Sequence, residues 1–325
     1  MKHFLGAAVL GCGLVVSGAA AQAPSTPTPG RQPMAAGTMQ RLLLLDAERA
    51  GPRIVAVGDR GAIVYSDDQG KSWTQASVPA APLLTAVDFA DAKNGLAVGH
   101  DAVILATHDG GETWTQAFSA PAEQRPLLDV RFVDKGHAIA VGAYGAYYDS
   151  ADGGRTWNAR KIIADDKHLN ALVDLGQGRL LIVGEAGTLL ASNDSGGSWN
   201  PVTSPYKGSL FGAVVATDGS VVAFGLRGRI FRSTDRGATW KPVDDPAVTA
   251  LMGGSRLPDG ALVLAGAGGR ALVSRDNGQS FVPITTGTSR AFAKPIVGGP
   301  NELLLLGEAG VRTVPLPSAP HRTSP

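Results

Sequence analysis

The octapeptide Ser233-Thr-Asp-Arg-Gly-Ala-Thr-Trp240 is one of six related copies along the chain. The copies share the pattern Ser/Thr-x-Asp-x-Gly-x-Ser/Thr followed by an aromatic residue, and they begin at Ser66, Thr107, Ser150, Ser192, Ser233 and Ser274. The closing aromatic residues lie at positions 73, 114, 157, 199, 240 and 281, in steps of 41 to 43 residues. Six copies in register indicate a repeat architecture.

Each octapeptide predicts a tight turn between two β-strands. The Asp side chain can accept hydrogen bonds from backbone N–H groups later in its own turn, and the Gly takes backbone angles that other residues avoid. The closing aromatic residue is expected to start the next strand and to pack inward. We therefore assign a structural rather than a catalytic role to Asp68, Trp73, Asp109, Trp114, Asp152, Trp157, Asp194, Trp199, Asp235, Trp240, Asp276 and Phe281.

A second marker, Gly-x-x-Gly, gives the number of repeats independently. It begins at Gly58, Gly142, Gly184, Gly225, Gly266 and Gly307, and Gly99-His-Asp-Ala102 is a degenerate copy. Seven markers predict seven units, although there are only six Asp turns. Short apolar runs separated by turn residues indicate four strands in each unit. The predicted fold is all-β: a seven-bladed β-propeller of four-stranded antiparallel blades.

The seventh unit is shorter than the others. Residues Ala291 to Pro315 provide three strands and no Asp turn. Because natural sheets avoid open edges, we expect the segment before Arg41 to close the ring.

The two ends of the chain predict export and linkers. A single charge at Lys2, the apolar run Leu5–Val16 and the small residues before Ala21 are typical of a signal peptide, assigned to residues 1–21. Cleavage there would remove Cys12, which also lies in a faint lipoprotein-like sequence. Residues 22–38 are predicted to be a disordered Pro/Thr-rich linker, 39–316 the propeller and 317–325 a disordered tail. The expected destination is the periplasm, a thylakoid lumen or the exterior.

Composition argues against several kinds of partner. The chain has 29 Lys and Arg against 28 Asp and Glu, so its net charge is +1. Such a balance predicts no binding to nucleic acid and, at most, a peripheral association with membranes. The histidines at 100, 108, 137 and 168 have no metal-ligand spacing, so neither a metal nor a cofactor is expected. We expect a monomer.

The repeats resemble two known groups of sequences. The Asp octapeptide is similar to the Asp-box, or BNR, repeat of sialidases and of several non-enzymatic propellers. The fuller unit, with Val-Gly-x-x-Gly, an apolar strand and then the octapeptide, resembles the photosystem II assembly and stability factors of the Ycf48/Hcf136 type over residues 41–316. The resemblance implies an exported seven-bladed propeller that binds a partly assembled membrane protein subunit without catalysis. It also implies an arginine-rich patch, for which this chain has Arg60, Arg125, Arg227, Arg229, Arg270 and Arg290.

Partner binding is predicted on the face that carries the turns between second and third strands and the links between blades. These loops vary in sequence while the Asp turns do not, and variable loops on a rigid scaffold commonly carry binding residues. The candidates are Asp59, Arg60, His100, Asp101, Arg125, Tyr144, Glu185, Tyr206, Lys207, Arg227, Arg229, Arg270, Arg290 and Glu308.

The alternative function is a sialidase-like protein that binds or hydrolyses glycans. Pro52-Arg-Ile-Val55 is near the Arg-Ile-Pro strand of sialidases but lacks the final Pro. Glu185 and Glu308 are the acidic residues that could be tested for catalysis. No Tyr/Glu spacing stands out, so the expectation is that the protein is not an enzyme.

Overall fold

The structure, a computed structural model, describes residues 34–79, 82–244 and 248–316. Its strands form seven antiparallel sheets, six with four strands and the last with three. The innermost strands are β1 (Leu44–Ala50), β5 (Leu84–Phe89), β9 (Leu127–Phe132), β13 (Leu169–Gly176), β17 (Leu210–Val215), β21 (Leu251–Arg256) and β25 (Phe292–Val297). The second strands are β2 (Arg53–Gly58), β6 (Gly95–Gly99), β10 (Ala138–Gly142), β14 (Arg179–Gly184), β18 (Val221–Gly225), β22 (Leu262–Gly266) and β26 (Glu302–Gly307).

The outer half of each blade is shorter. The third strands are β3 (Ile63–Ser66), β7 (Ile104–Thr107), β11 (Tyr147–Ser150), β15 (Leu189–Ser192), β19 (Ile230–Ser233), β23 (Ala271–Ser274) and β27 (Gly310–Pro315). The fourth strands are β4 (Thr74–Gln75), β8 (Thr115–Phe118), β12 (Asn158–Ala159), β16 (Asn200–Pro201), β20 (Lys241–Val243) and β24 (Val282–Pro283). Each inner strand contacts the inner strand of the next blade, and β25 contacts β1, so the blades form a closed ring. The predicted seven-bladed propeller is confirmed.

The hydrophobic core lies between the blades rather than within any one of them. Seven clusters of buried side chains occur, each shared by two neighbouring blades. The second strands supply much of it, because both faces of a blade are covered; in β14, for example, residues Leu180 to Gly184 are all buried. Near-continuous apolar runs such as Leu180-Leu-Ile-Val183 are the sequence expression of this double burial.

The seventh blade differs from the other six in its turn and in its outer edge. Its Gly307-Glu-Ala-Gly310 sequence does not form the turn seen in the other blades, because Gly307 and Gly310 pair directly across a two-residue connection between β26 and β27. The segment before Arg41 does not add a strand in the described residues. Instead it contains the four-residue helix α1 (Ala36–Met39), where the linker was expected to continue to residue 38.

That segment nevertheless joins the last blade to the first. Met34 N–H donates to the carbonyl of Trp73 in blade 1, and Gly310 N–H in blade 7 donates to the carbonyl of Leu42. Met39 is buried in the same hydrophobic cluster as Trp73 of the first blade and Leu304 of the seventh. The ring therefore closes through one helical turn and side-chain packing. The predicted signal peptide and the predicted C-terminal tail lie outside the described residues.

The Asp turns contain a two-step hydrogen-bond relay. In the fifth copy, buried Gly237 N–H donates to Ser233 Oγ at 2.7 Å, and Ser233 Oγ–H donates to Asp235 Oδ1 at 2.7 Å. Asp235 also accepts from the backbone N–H and the hydroxyl of Thr239. The Asp therefore accepts backbone hydrogen bonds as expected, but it is exposed, and the buried donor is satisfied by Ser233, which is 1% exposed.

Stability should consequently depend more on the serine than on the aspartate. Ser233→Ala should lower the free energy of unfolding by about 1–3 kcal/mol, because it leaves the buried Gly237 N–H without an acceptor. Asp235→Ala should cost about 0.5–1.5 kcal/mol, since water can replace an exposed acceptor. Urea unfolding followed by circular dichroism measures both, with the exposed Thr234→Ala of the same turn as control. A larger loss for Asp235→Ala than for Ser233→Ala would contradict this account.

Candidate binding faces and the central channel

The propeller has two chemically different faces. The Gly-x-x-Gly face carries the turns between second and third strands together with the links between blades. The Asp-box face carries the Asp turns together with the turns between first and second strands. Backbone hydrogen bonds hold each set together: Gly110 N–H of an Asp turn donates to the carbonyl of Lys93, and His100 N–H of the opposite turn donates to that of Leu83.

The local geometry of the Gly-x-x-Gly turns decides which side chains project. In the first six blades the third residue of the turn has a left-handed backbone, with φ between 50° and 69°. Gly occupies this position only in blade 6; the others have Arg60, Asp101, Tyr144, Ala186 and Arg227. Outside glycine such angles are uncommon. The conformation places these residues at the tips of the turns, where Arg60 has a side chain 93% exposed and Tyr144 is 52% exposed.

Three acidic candidates occupy the first variable position of their Gly-x-x-Gly turns and accept hydrogen bonds from backbone N–H groups. Asp59 accepts from Leu43 N–H at 3.1 Å, Glu185 from His168 N–H at 3.1 Å and Glu308 from Ala291 N–H at 3.0 Å. Each carboxylate thus caps the chain where it enters the innermost strand of its own blade. These hydrogen bonds give the three carboxylates a structural role, whereas the sequence analysis assigned the same residues to partner binding.

The basic candidates are less scattered than their positions in the sequence suggest. Arg227 and Arg229 lie on the turn of blade 5, and Lys207 lies on the link that enters that blade. Arg270 follows the turn of blade 6, and Arg290 lies on the link from blade 6 to blade 7. We call these five residues the basic arc: Lys207, Arg227, Arg229, Arg270 and Arg290. Arg60 and Arg125 belong to other blades, so the structure does not bring them into the arc.

The remaining candidates lie on blades 2 to 5. Tyr144 packs edge-on against His168, with ring centroids 5.0 Å apart. Arg125 lies 3.9 Å from the Glu123 carboxylate, and His100 and Asp101 are exposed on the turn of blade 2. Half-buried Tyr206 packs against Phe231 and donates to the carbonyl of Leu226, which gives it a structural role as well.

Comparison with known proteins shows the family. The profile described as photosynthesis system II assembly factor YCF48 matches residues 67–125 and 116–293. The chain belongs to this family. A search of curated proteins gave no match.

Solved structures show the same fold at low identity. A structure described as YCF48 bound to D1 peptide is 21% identical, with a TM-score of 0.70, and the match covers 86% of this chain and 95% of the other. YCF48 from Cyanidioschyzon merolae is 18% identical, with a TM-score of 0.67, and the match covers 84% and 95%. A GH74 xyloglucanase from Xanthomonas campestris is 16% identical, with a TM-score of 0.68, and the match covers 90% of this chain but 54% of the enzyme.

The inner strands of this family member surround a channel that contains a partly buried charge cluster. At the channel end nearer the Asp-box face, a cavity of about 900 Å³ is lined by Glu48, Asp88, Arg131 and Lys294, among others. Arg131 contacts Asp88 at 3.2 Å and Glu48 at 3.8 Å, and Lys294 contacts Asp46 at 2.8 Å. These contacts join the first, second, third and seventh blades.

The carboxylates of the cluster also bond the backbone of the next blade. Asp46 accepts from Val87 N–H, Asp88 from Phe132 N–H and Asp129 from Leu172 N–H, at 3.0, 2.7 and 2.8 Å. Sequence reasoning missed all of these groups because it placed function in loops. A signal was present: charged residues such as Asp88 and the Asp129-x-Arg131 pair interrupt predicted inner strands.

Burial changes the proton affinity of this cluster. Burial raises the pKa of Asp88 to about 7, nearby Glu48 adds to the increase and Arg131 opposes it. Burial also raises the pKa of Asp129. On the Asp-box face the effect is opposite: the hydroxyl of Thr156, together with its backbone N–H, lowers the pKa of Asp152 to about 2.

Among the described residues, no three His, Cys, Asp or Glu side chains are grouped as a metal site. In the same part of the chain, no helix is both long and apolar enough to span a membrane.

Asp88 should make stability depend on pH in a defined window. Its raised pKa gives a stabilising contribution that is complete below about pH 4 and is lost as pH rises through 7. The excess stability of the wild type over Asp88→Asn should therefore fall by an amount on the order of 2 kcal/mol between pH 5 and pH 8. Urea unfolding of both proteins across this range provides the measurement.

The matched control is Asp152→Asn. Since the pKa of Asp152 is lowered, its contribution is present above about pH 4 and is lost only as pH falls toward 2. Its difference from the wild type should be constant from pH 5 to pH 8. A constant difference for Asp88→Asn over that range would show that Asp88 is ionised throughout.

Proposed function

We propose that the protein is a non-catalytic, exported scaffold that binds a membrane protein or a membrane-complex subunit during its assembly. Family membership supports this function, because the family profile is described as an assembly factor. The related structure with a bound D1 peptide supports a peptide segment as the recognised element. Export to the periplasm, a thylakoid lumen or the exterior is part of the proposal, as are a peripheral relation to the membrane and a monomeric state.

The basic arc is the observation that carries the proposal. Lys207, Arg227 and Arg229 are exposed on neighbouring loops of one blade, and the acidic candidates Glu185 and Glu308, on blades 4 and 7, are hydrogen-bonded to backbone N–H groups. Arginine is enriched among the residues that dominate protein interfaces. Exposed Leu226, next to Arg227, adds an apolar surface between these cations. The arc therefore suits an acidic segment with a few apolar side chains.

The xyloglucanase likeness does not favour the glycan-active alternative. At 16% identity it shows the fold alone. Glu185 and Glu308, the acidic residues proposed for catalysis, belong to blades 4 and 7 and each caps a backbone N–H. Glycosidases need two carboxylates on either side of one bond. Turnover of a fluorogenic glycoside panel that is abolished by changing either residue would contradict the scaffold function.

The proposal is tested by site-specific crosslinking in the native host. A photoreactive amino acid replaces Leu226 in the basic arc or, as control, Arg155 on the Asp-box face. We expect position 226, and not 155, to crosslink one recurring segment that lies outside the bilayer in a membrane protein under assembly. Equal crosslinking of the same segment from both positions would contradict specific binding on the Gly-x-x-Gly face.

Removing charge from the arc should weaken this interaction. The variant Lys207→Ala/Arg227→Ala/Arg229→Ala should reduce crosslinking at position 226 about tenfold, with little change in the melting temperature because the three side chains are exposed. The wild-type yield should also fall as salt rises, since charge interactions are screened within about 8 Å at physiological ionic strength. The control variant Lys71→Ala/Arg155→Ala/Arg236→Ala, on the Asp-box face, should retain the yield. The reverse result would assign binding to the Asp-box face.

A further inference from the structure

Among the seven third strands of the described residues, β27 alone has no fourth strand paired with its outer edge. In each of the other six blades the third strand pairs with a short fourth strand that follows an Asp turn. Blade 7 has no Asp turn, and its sheet ends at β27. Open strand edges present unpaired N–H and C=O groups and are templates for pairing with another chain.

The register between β26 and β27 shows which backbone groups of β27 point outward. Leu316 N–H donates to the carbonyl of Asn301 at 2.8 Å, so the hydrogen-bonded pairs of the same register are Leu303 with Val314 and Leu305 with Arg312. Backbone groups alternate in direction along an antiparallel strand, so the N–H and C=O groups of Val311 and Thr313 point away from β26. Gly310 N–H donates to the carbonyl of Leu42, which covers the start of this edge. Val311 and Thr313 provide two donors and two acceptors for an added strand.

A basic cavity adjoins this edge. It has a volume of about 410 Å³ and is lined by Gln40, Thr288, Arg290, Phe292, Leu305, Ala309, Gly310, Val311 and Arg312. Arg290 and Arg312 are exposed, and the lining includes no acidic residue. The nearest carboxylate in the sequence, Glu308, accepts from Ala291 N–H. Arg312 donates from Nε to the carbonyl of Thr286, which fixes its guanidinium beside the cavity.

Position 312 also breaks the pattern of the third strands. In the first six blades, the third-strand residue that pairs with the second residue before the first Gly of the marker is apolar and buried: Val64, Leu105, Tyr148, Leu190, Phe231 and Leu272. In blade 7 the residue in this place, opposite Leu305, is exposed Arg312. A charged residue therefore occurs where the added strand is missing.

We propose that an extended acidic segment of a partner protein pairs with the outer edge of β27 and places a carboxylate beside Arg290 and Arg312. Addition of a strand to an open sheet edge is a common mode of peptide recognition, in which the backbone gives affinity and pockets give specificity. Charge-assisted hydrogen bonds from arginine to a carboxylate supply that specificity. The proposal rests on the scaffold function, because the segment belongs to the client, but it uses a site separate from Lys207, Arg227 and Arg229.

The chain's own terminal sequences are poorer occupants. Residues 22–33 include Pro24, Pro27, Pro29 and Pro33, and residues 317–325 include Pro317, Pro320 and Pro325. Proline has no backbone N–H to donate to an added strand. Neither stretch contains Asp or Glu, while Arg31 and Arg322 carry positive charge. Charge and hydrogen bonding both favour an acidic partner segment instead.

A random octapeptide display library, selected on the full exported chain, provides the probe. Enriched peptides are synthesised with a fluorophore and titrated by fluorescence anisotropy. We expect acidic peptides of alternating polar and apolar residues. Their affinity should fall at least about tenfold for Arg290→Glu/Arg312→Glu. It should be retained for Arg312→Lys and for the control Arg155→Glu/Arg236→Glu on the Asp-box face. Circular dichroism confirms that each variant is folded.

Amide hydrogen exchange by NMR then tests strand addition directly. The amides of Val311 and Thr313 should exchange rapidly in the free protein and become protected when the selected peptide binds, while that of Leu251 on inner strand β21 should not change. Equal affinity for the Arg290→Glu/Arg312→Glu variant, or failure of the library to enrich peptides, would overturn the proposal. So would protection of both amides before peptide is added, because a segment of the chain itself would then cover the edge.

The two proposed binding sites can be disproved independently of each other. The Lys207→Ala/Arg227→Ala/Arg229→Ala variant should bind the selected peptides with unchanged affinity, since these residues lie on blade 5. If native crosslinking at position 226 fails while peptide binding to β27 persists, binding by Lys207, Arg227 and Arg229 is wrong, and the strand site, which includes Arg290 of the basic arc, stands. If peptide binding fails while crosslinking persists, the reverse holds.

Discussion

Side-chain hydrogen bonds between neighbouring innermost strands are the interaction on which the rest of this propeller depends. An inner strand pairs with the second strand of its own blade along one edge, and its other edge faces the channel without a ladder. Buried backbone groups need partners. Here Asp46, Asp88 and Asp129 each accept an N–H from the next blade, while Thr85, Asn170 and Ser255 donate to carbonyls of the next blade. Arg49 and Lys294 join the last blade to the first.

The carboxylates of the innermost strands, here called the inner ring, and those of the Asp turns both accept backbone hydrogen bonds. Their pKa values are shifted in opposite directions. The ring carboxylates are buried among like charges and basic groups, so the pKa of Asp88 is raised. The Asp-turn carboxylates are exposed and accept several short hydrogen bonds, so the pKa of Asp152 and Asp235 is lowered to about 2. A change of pH therefore acts on different parts of the molecule. Low pH protonates the Asp-turn carboxylates and destabilises the outer turns, whereas rising pH ionises Asp88 beside the central channel.

The repeat made the fold predictable, and the departures from the repeat limited what else could be predicted. Six Asp turns and seven Gly-x-x-Gly markers gave the blade number because each unit needs the same turn chemistry. The closing segment was not predictable in detail, since a helical turn and a strand were both compatible with residues 34–42. The seventh marker was correctly predicted to precede a third strand, but its shorter connection, in which Leu306 pairs with Val311, was not predictable because Gly307-Glu-Ala-Gly310 matches the other markers in sequence. On the candidate binding face, the sequence identified exposed residues, but the backbone partners of Asp59, Glu185 and Glu308 are shown only by the folded geometry.

The departures from the repeat are also where specific function is expected. A residue that recurs in every blade satisfies a need that every blade has, and Ser233 and its counterparts do this for a buried N–H. A residue that breaks the pattern contributes little to that shared framework. Arg227 and Arg229 on blade 5, the missing fourth strand of blade 7 and Arg312 in place of a buried apolar residue are such breaks. Both sets are basic and solvent-facing, so the proposed client would contact one loop surface and one strand edge through acidic extended segments. A rigid ring fixed by its inner strands keeps these two surfaces in a constant relation, which lets two modest contacts combine into a selective one.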